Sequence, residues 1–314
     1  MTAPLLLQGV APLTSWGVIR VEGADAAPFL HGQLTQDFAL LGLGEARLAA
    51  FCTAKGRMLA SFIGFKRSPT EILLLCSRDL LAPTLKRLSM FVLRSKAKLT
   101  DATADFQIWG LAGDAIKLIA KDNQPTWTTG TFGTQNLIFL YPADGQPRAL
   151  LVAPAGEPLP AALAAAPVLT EALWHWGDVR SGIATLSAPI AEAFVPQMLN
   201  FESVGGVSFK KGCYPGQEVV ARSQFRGTLK RRAFLAHVAP DDAAPAPGHE
   251  VFHSGDPDQP AGLVAEAARA PGGGWDVIVS LQLAATESGT LALGGPQGPA
   301  VALQALPYAL LADV

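Results

Sequence analysis

The first hundred residues alternate short apolar segments with polar breaks, a pattern that predicts strands mixed with helices. Asp25 is placed to cap the first helix, and Lys55 and Gly56 separate two apolar segments in the manner of a β-hairpin. Strands are expected at residues 16–21, 48–53, 58–65, 71–76 and 95–100, and helices at 25–38 and 80–91. This order of elements indicates an α+β fold.

The same mixture continues to residue 181, and the pattern changes after Arg232. The expected elements of the second part are strands at 106–111, 137–141 and 150–152 and helices at 115–120 and 171–181. Beyond Arg232, short strands are separated by Pro, Gly and Asp, which is typical of a small β-barrel. Those strands are expected at 233–238, 250–252, 263–267, 277–283, 290–293 and 301–306.

Composition narrows the class of protein. The chain has 314 residues, 49% of them apolar, and a net charge of −2, so no general attraction to nucleic acid is expected. No apolar segment reaches the length of a membrane span, and the N-terminus lacks the positive region of a signal peptide, so we expect a cytoplasmic protein without a membrane partner. Cys52, Cys76 and Cys213 are too widely spaced for a disulfide framework, and the five histidines show no metal-ligand spacing.

Residues 211–222 are the strongest candidate for a functional segment. They place Cys213 between Gly212 and Gly216, next to Lys211 and before an apolar helical stretch. If Pro215 is the first helical residue, Cys213 lies at a helix N-terminus, where unpaired amides and nearby cations favour the thiolate form. The alternative is a small buried residue in a turn, as most free cysteines are.

Seven cations lie between residues 210 and 232, against one acid, Glu218. They are Lys210, Lys211, Arg222, Arg226, Lys230, Arg231 and Arg232. Charge runs usually form a solvated surface. The alternative is a site for anions, among them RNA phosphate.

Residues 205–218, continuing through 221–222 to 225–227, resemble the signature of the YgfZ family of folate-binding proteins, relatives of the glycine-cleavage T-protein. Further segments that resemble the family are 21–37, 54–57, 91–96, 179–183 and 306–308. The resemblance therefore spans nearly the whole chain. It implies an aminomethyltransferase-like folate-binding body of two similar subdomains in residues 1–228, followed by a C-terminal β-barrel in residues 229–314.

The resemblance also implies a ligand, tetrahydrofolate or a one-carbon derivative of it. Trp16 and Trp174 match tryptophans that line the folate site in this family, and indole faces stack on flat aromatic rings. Trp176 lies on a different face of the same helix, so only one of that pair is expected to face the ligand. Core filling is the alternative for each tryptophan.

Further candidates for folate contacts are polar or lie in the cysteine segment. They are Gln197, Asn200, Gly212, Gly216, Gln217, Glu218 and Arg222, and Lys211 is expected to assist Cys213. The amides of Gln197 and Asn200 are able to pair with pterin atoms, although loop amides more often bond to backbone. Arg222 lies one helical turn beyond Glu218, and an ion pair between the two is a simpler explanation of these residues than a folate contact.

The predicted function is tetrahydrofolate binding in support of the assembly or repair of iron–sulfur enzymes, including the enzyme that methylthiolates tRNA, with Cys213 acting on the client. The three cysteines are too few for the chain to hold a cluster itself. One alternative is a folate-dependent aminomethyl transferase, although residues 56–61 lack the acid that the transferases carry in their first hairpin. The cations of residues 210–232 are also candidates to bind the glutamate tail of a folate. Another alternative is an RNA-binding module built on the same cations, but we expect no stable nucleic-acid complex.

Overall fold

A computed structural model describes residues 6–121, 124–225 and 229–311. Its helices are α1 (Ala26–His31), α2 (Arg78–Ser89), α3 (Glu171–Arg180) and α4 (Gln217–Phe225). Its strands are β1 (Gly9–Pro12), β2 (Trp16–Glu22), β3 (Ala46–Cys52), β4 (Met58–Ser68), β5 (Glu71–Ser77), β6 (Lys98–Asp101), β7 (Phe106–Ala112), β8 (Thr129–Phe132), β9 (Gln135–Ala143), β10 (Gln146–Pro154), β11 (Arg231–Val238), β12 (Glu250–His253), β13 (Asp256–Arg269), β14 (Trp275–Gln282), β15 (Leu291–Leu293) and β16 (Ala302–Gln304).

The strands form three antiparallel sheets. The first has the order β3-β4-β5-β2-β6 and the second β1-β7-β10-β9-β8, so the first strand of the chain joins the second sheet. The third sheet has the order β15-β12-β13-β14-β11-β16 and curls into a half-barrel. The predicted α+β class, with a curled β-sheet at the C-terminus, is confirmed.

The core of the molecule is shared by the three sheets. One continuous cluster of buried apolar side chains includes Ile19 of the first sheet, Leu150 of the second and Ile278 of the third. Smaller clusters lie within the third sheet and within the second. The half-barrel is therefore packed onto the body, because one face of its sheet contributes to the shared core while the other face forms the sheet's own cluster.

The first helix is shorter than its sequence pattern predicts. It ends at His31, and the expected extension to Phe38 is wrong. Leu34 forms a bridge to Phe51 of β3, and the Thr35 amide donates to the carbonyl of Ala50. These residues turn toward the first sheet because pairing with β3 satisfies backbone groups that a longer helix would have used internally.

Other differences are smaller. β1 and β8 were not predicted, because four-residue strands carry too little periodicity, and the helix expected at 115–120 is a 3₁₀ segment, Gly113–Leu118.

No helix in the described ranges is long and apolar enough to cross a membrane. The division at residue 228 stays a proposal, and Arg226 and Gly227, in the predicted signature and cation run, lie outside the described residues.

Candidate functional site

Helix α3 positions most of the side chains of interest. The Thr170 side chain caps it by accepting from the Leu173 amide. Glu171, in its first turn, accepts hydrogen bonds from the amides and hydroxyls of Thr14 and Ser15, which immediately precede β2. Burial opposes the charged form, but these bonds outweigh it and lower the pKa of Glu171. The start of α3 is thereby fixed beside the first sheet.

The rest of α3 is tied to the other two sheets. The guanidinium of Arg148, on β10, donates to the Asp178 carboxylate and to the Gly177 carbonyl. Trp176 Nε1 donates to Asp276 of β14 over 2.8 Å. Helix α3 therefore lies where the three sheets meet, and its side chains face the space between them.

Two cavities open beside this helix. The larger, of about 390 Å³, is within the size range of ligand pockets, and the smaller measures about 40 Å³. Trp16, Asp178 and Thr185 line both of them. The larger is also lined by Ser15, Ser77, Glu171, Ala172, Trp174, His175, Ser187, Pro247, Glu266 and Ala267. The two spaces thus adjoin across these three shared residues.

The structure brings Trp16 and Trp174 to the same cavity. Trp16 is 9% exposed and borders three cavities, whereas Trp174 is 1% exposed. The Arg148 guanidinium lies over the Trp174 ring, 4.2 Å from its centroid, so one face of this indole already has a partner. Trp176 does not line the cavity, as its position on α3 predicted.

Two buried N–H groups at the cavities have no partner within the described part of the chain. They are Trp174 Nε1, in the wall of the larger cavity, and Arg148 Nε, in the wall of the smaller one. A buried donor without an acceptor costs about 1–3 kcal/mol. Both donors are therefore left unsatisfied inside the fold, next to the cavities.

A cluster of three titratable side chains in this cavity was missed by the sequence analysis. His175 Nδ1 lies 3.3 Å from Glu266 Oε1 and 3.9 Å from Asp178 Oδ2. His175 and Asp178 lie one turn apart on α3, a spacing that offered a signal, but Glu266 comes from β13, far along the chain. Only the packing of the third sheet on α3 brings the three together.

The cluster alters the titration of its members. Burial opposes protonation of His175, but the hydrogen bond and charge of Asp178 and the charge of Glu266 outweigh it and raise the pKa of His175 to about 9. Burial raises the pKa of Glu266, against the opposing effect of the His175 charge. The cluster therefore holds a proton near neutral pH.

The structure does not bring Gln197 and Asn200 to this cavity. Gln197 Nε2 donates to the Val220 carbonyl over 2.7 Å, and this bond connects the segment around Gln197 to α4. The Asn200 side chain bonds to both backbone groups of Ala233, at 2.9 and 3.2 Å. Both amides are fully buried and join the body to neighbouring elements, which is the backbone role that loop amides more often have.

The cysteine segment begins its helix later than predicted. Pro215 is not helical, and α4 starts at Gln217, after Gly216 adopts a φ of +83°. A Cβ on Gly216 would lie 2.4 Å from the Thr53 carbonyl oxygen, so the segment packs against the first hairpin at a distance that only glycine allows. The expectation that Cys213 lies at a helix N-terminus is therefore wrong.

Lys211 is buried, although Cys213, two residues further along the chain, is exposed. Its ammonium donates to the carbonyls of His31 and Leu34 and lies 4.5 Å from the centroid of the Tyr214 ring. Burial lowers the pKa of Lys211 to about 8, opposed by the charges of Asp37 and Cys213. The Lys211 ammonium thus satisfies carbonyl groups at the end of α1 from inside the fold.

The remaining predicted residues of this segment lie at the surface or in turns. Gln217 Nε2 donates to the Lys211 carbonyl over 3.5 Å, a weak bond. Arg222 and Glu218 form the expected ion pair, and both side chains are mostly exposed. Gly212 is exposed and lies against the His31 ring, since a Cβ there would be 3.4 Å from Nε2.

Cys213 is exposed, whereas Cys52 and Cys76 are buried in strands of the first sheet. Burial raises the pKa of each of these two thiols to about 12. In the described ranges, no residue between 205 and 225 lines the larger cavity. The structure therefore separates the thiol from the two tryptophans.

The run of seven cations is not one continuous surface. Lys211 and Arg232 are buried, and Arg232 pairs with the buried carboxylate of Glu202 over 2.7 Å. Burial also lowers the pKa of Arg231, and Arg222 is paired. Several of these cations therefore stabilise the fold, which weakens the case for a phosphate-binding surface.

Arg232→Met is expected to destabilise the protein by about 3–5 kcal/mol, because it leaves the Glu202 carboxylate buried without its ion-pair partner. Thermal or urea unfolding measures this. Arg222→Met removes a cation from an exposed pair and should change stability by no more than about 0.5 kcal/mol. Equal effects of the two substitutions would contradict the distinction between buried and surface cations.

Comparison with known proteins gives consistent results, although no family model matches the sequence. The chain is 32% identical over 229 residues to tRNA-modifying protein YgfZ of Hamiltonella defensa, covering 71% of this chain and 68% of that protein. It is 29% identical over 328 residues to tRNA-modifying protein YgfZ of Yersinia enterocolitica, covering 99% and 97%.

A solved structure shows the same fold. Glycine cleavage system aminomethyltransferase T from Bartonella henselae superposes with a TM-score of 0.72, over 96% of this chain and 86% of that one, at 14% identity. At that identity the likeness concerns the fold alone. With the sequence relatives, it leads to one conclusion: the chain belongs to the family of the tRNA-modifying protein YgfZ, built on the aminomethyltransferase T fold.

Proposed function

We propose that this chain binds tetrahydrofolate, or a one-carbon derivative of it, in the cavity beside α3, and that it supports iron–sulfur enzymes in the cytoplasm through Cys213. The observation that carries the proposal is the meeting of Trp16 and Trp174, from distant parts of the sequence, at one cavity of about 390 Å³. A folate held there supplies one-carbon chemistry.

The cavity suits the ring system of a folate better than its tail. Trp16 and Trp174 both line the cavity, and indole side chains suit contact with the flat aromatic ring of a pterin. Glu171, Asp178 and Glu266 add carboxylates to the same wall, and these would repel the anionic glutamate tail. We therefore expect the ring inside and the tail outside.

The position of Cys213 suits work on a protein partner. The thiol is exposed, on a segment fixed by the buried Lys211 and by the contact of Gly216 with the first hairpin. A large client is able to reach such a thiol, whereas a ligand in the cavity beside α3 is separated from it. We infer that folate binding and thiol chemistry act at two places on the molecule.

Aminomethyl transfer is the less favoured function. The first hairpin reaches the smaller cavity at Ser61, whose hydroxyl accepts a hydrogen bond from the Leu186 amide. Residues 56–61 contain no carboxylate, and loss of a positioned acid or base costs about 10²–10⁴ in rate. Transfer of an aminomethyl group to free tetrahydrofolate at a rate typical of enzymes would favour this alternative.

Titration of the purified protein with tetrahydrofolate tests the proposal directly. We expect saturable quenching of tryptophan fluorescence with one site per chain, since Trp16 and Trp174 border the cavity. Equilibrium dialysis gives the same stoichiometry without relying on fluorescence. Absence of binding by both methods would rule out the folate site, whatever the role of Cys213.

A further inference from the structure

His175, Asp178 and Glu266 converge on one point of the cavity wall. One nitrogen of the histidine and one oxygen of each carboxylate all lie within 4.8 Å of one another. Nitrogen and oxygen ligands lie about 2.0–2.2 Å from a zinc ion, so atoms that share an ion lie within about 4.4 Å of one another. The distances from His175 Nδ1 to Glu266 Oε1 and to Asp178 Oδ2, 3.3 and 3.9 Å, are already within that limit.

Each of the three side chains also makes a hydrogen bond to a group outside the cluster. His175 Nε2 lies 3.2 Å from the Ala267 carbonyl, to which it donates, and this leaves Nδ1 directed at the carboxylates. Glu266 Oε2 accepts from the Thr185 amide over 3.0 Å, and Asp178 Oδ1 accepts from Arg148. Such outer hydrogen bonds orient the ligands of metal sites and fix the histidine tautomer.

The charges in the cluster favour a cation. Asp178 and Glu266 are both shielded from solvent, and within the described ranges Arg148 is the fixed positive charge that contacts the cluster. Once an ion displaces the proton that the cluster holds near neutral pH, two carboxylates face one guanidinium, which leaves negative charge for the ion to balance. The side chain of His175 is 46% exposed and lines the open cavity, so an ion has a path to the cluster.

We propose that His175 Nδ1, Asp178 Oδ2 and Glu266 Oε1 bind one divalent transition-metal ion of the Mn²⁺ to Zn²⁺ series. An imidazole with two carboxylates suits these ions, whereas Mg²⁺ and Ca²⁺ prefer oxygen ligands alone. Binding displaces the proton of His175 into solvent. The ion keeps open positions toward the cavity, where water or a ligand completes its coordination. The inference does not depend on folate binding.

Calorimetric titration of the chelator-treated full-length chain with Zn²⁺, in excess Mg²⁺, tests this site. The Cys213→Ser background removes the exposed thiol as a competing ligand. We expect one ion per chain, and we expect His175→Gln and Glu266→Gln each to weaken binding more than about tenfold, since losing an outer hydrogen bond alone costs that much. Visible absorption of bound Co²⁺ should show the same loss.

His237→Gln is the matched control. His237 Nδ1 pairs with the Asp276 carboxylate over 2.8 Å but belongs to no cluster with a third ligand among the described residues, so its loss should leave Zn²⁺ affinity unchanged. If Glu266→Gln fails to fold, the more exposed His175→Gln decides. Absence of specific binding, or equal affinity in the wild type and the His175→Gln variant, would overturn the proposal and leave the cluster as an ion pair only.

Discussion

Cys213→Ser is expected to abolish the support that this protein gives to iron–sulfur enzymes while leaving tetrahydrofolate affinity unchanged. Serine keeps the size and a hydrogen bond but removes the nucleophilic thiol. Cys213 is exposed and does not line the cavity beside α3, so the substitution leaves the folate site intact. Activity of client enzymes in cells that lack the protein, complemented with each variant, measures the effect.

Cys76→Ala is the matched control for this experiment. It removes a thiol buried in β5 and should retain full support of the clients at a modest cost in stability. Full activity of the Cys213→Ser copy, at the expression level of the wild type, would reduce Cys213 to a structural turn residue.

Alkylation provides a second test of the same thiol, on the purified protein. With limiting reagent near neutral pH, Cys213 should be modified first, because Cys52 and Cys76 are buried and burial raises the pKa of each to about 12. Mass spectrometry identifies the modified residue, and all three should react in denaturant. Since the thiol and the cavity lie apart, tetrahydrofolate should not protect it. Equal labelling of all three in the folded protein would contradict the assignment.

Trp16→Ala is expected to weaken tetrahydrofolate at least about tenfold. Loss of a stacked ring costs roughly 0.5–1.5 kcal/mol beyond the lost buried area, and 1.4 kcal/mol corresponds to tenfold. We expect a smaller direct effect at Trp174, because Arg148 already covers one face of that indole. Equilibrium dialysis with Trp16→Ala, Trp16→Phe and Trp174→Phe measures the series, and Trp16→Phe should retain most of the affinity.

Stability must be followed in parallel, because both tryptophans are buried and truncation to alanine costs about 3–5 kcal/mol in such positions. Trp176→Phe is the matched control. It removes the hydrogen bond to Asp276 from the same helix but does not touch the cavity wall, so it should lower stability without changing affinity. Unchanged folate affinity in a folded Trp16→Ala protein would place the folate site elsewhere.

The strands of the first sheet were predictable because they are short apolar segments bounded by polar and turn residues, and α2 was predictable because its apolar positions repeat at helical spacing. The half-barrel was predictable for a similar reason, since short strands alternate there with turn residues. The end of α1 was not predictable. Its pattern continues past His31, and pairing with β3 decided where the helix ends.

The sequence by itself determined the fold class, the family, the pairing of Glu218 with Arg222 and the difference between Trp174 and Trp176, because each depends on a local motif or on helical spacing. The tertiary structure decided which residues meet. Glu266 joins His175 and Asp178 only because the third sheet packs on α3, and Lys211 is buried because α1 ends against it. Contacts between distant segments depend on packing, which no local pattern records.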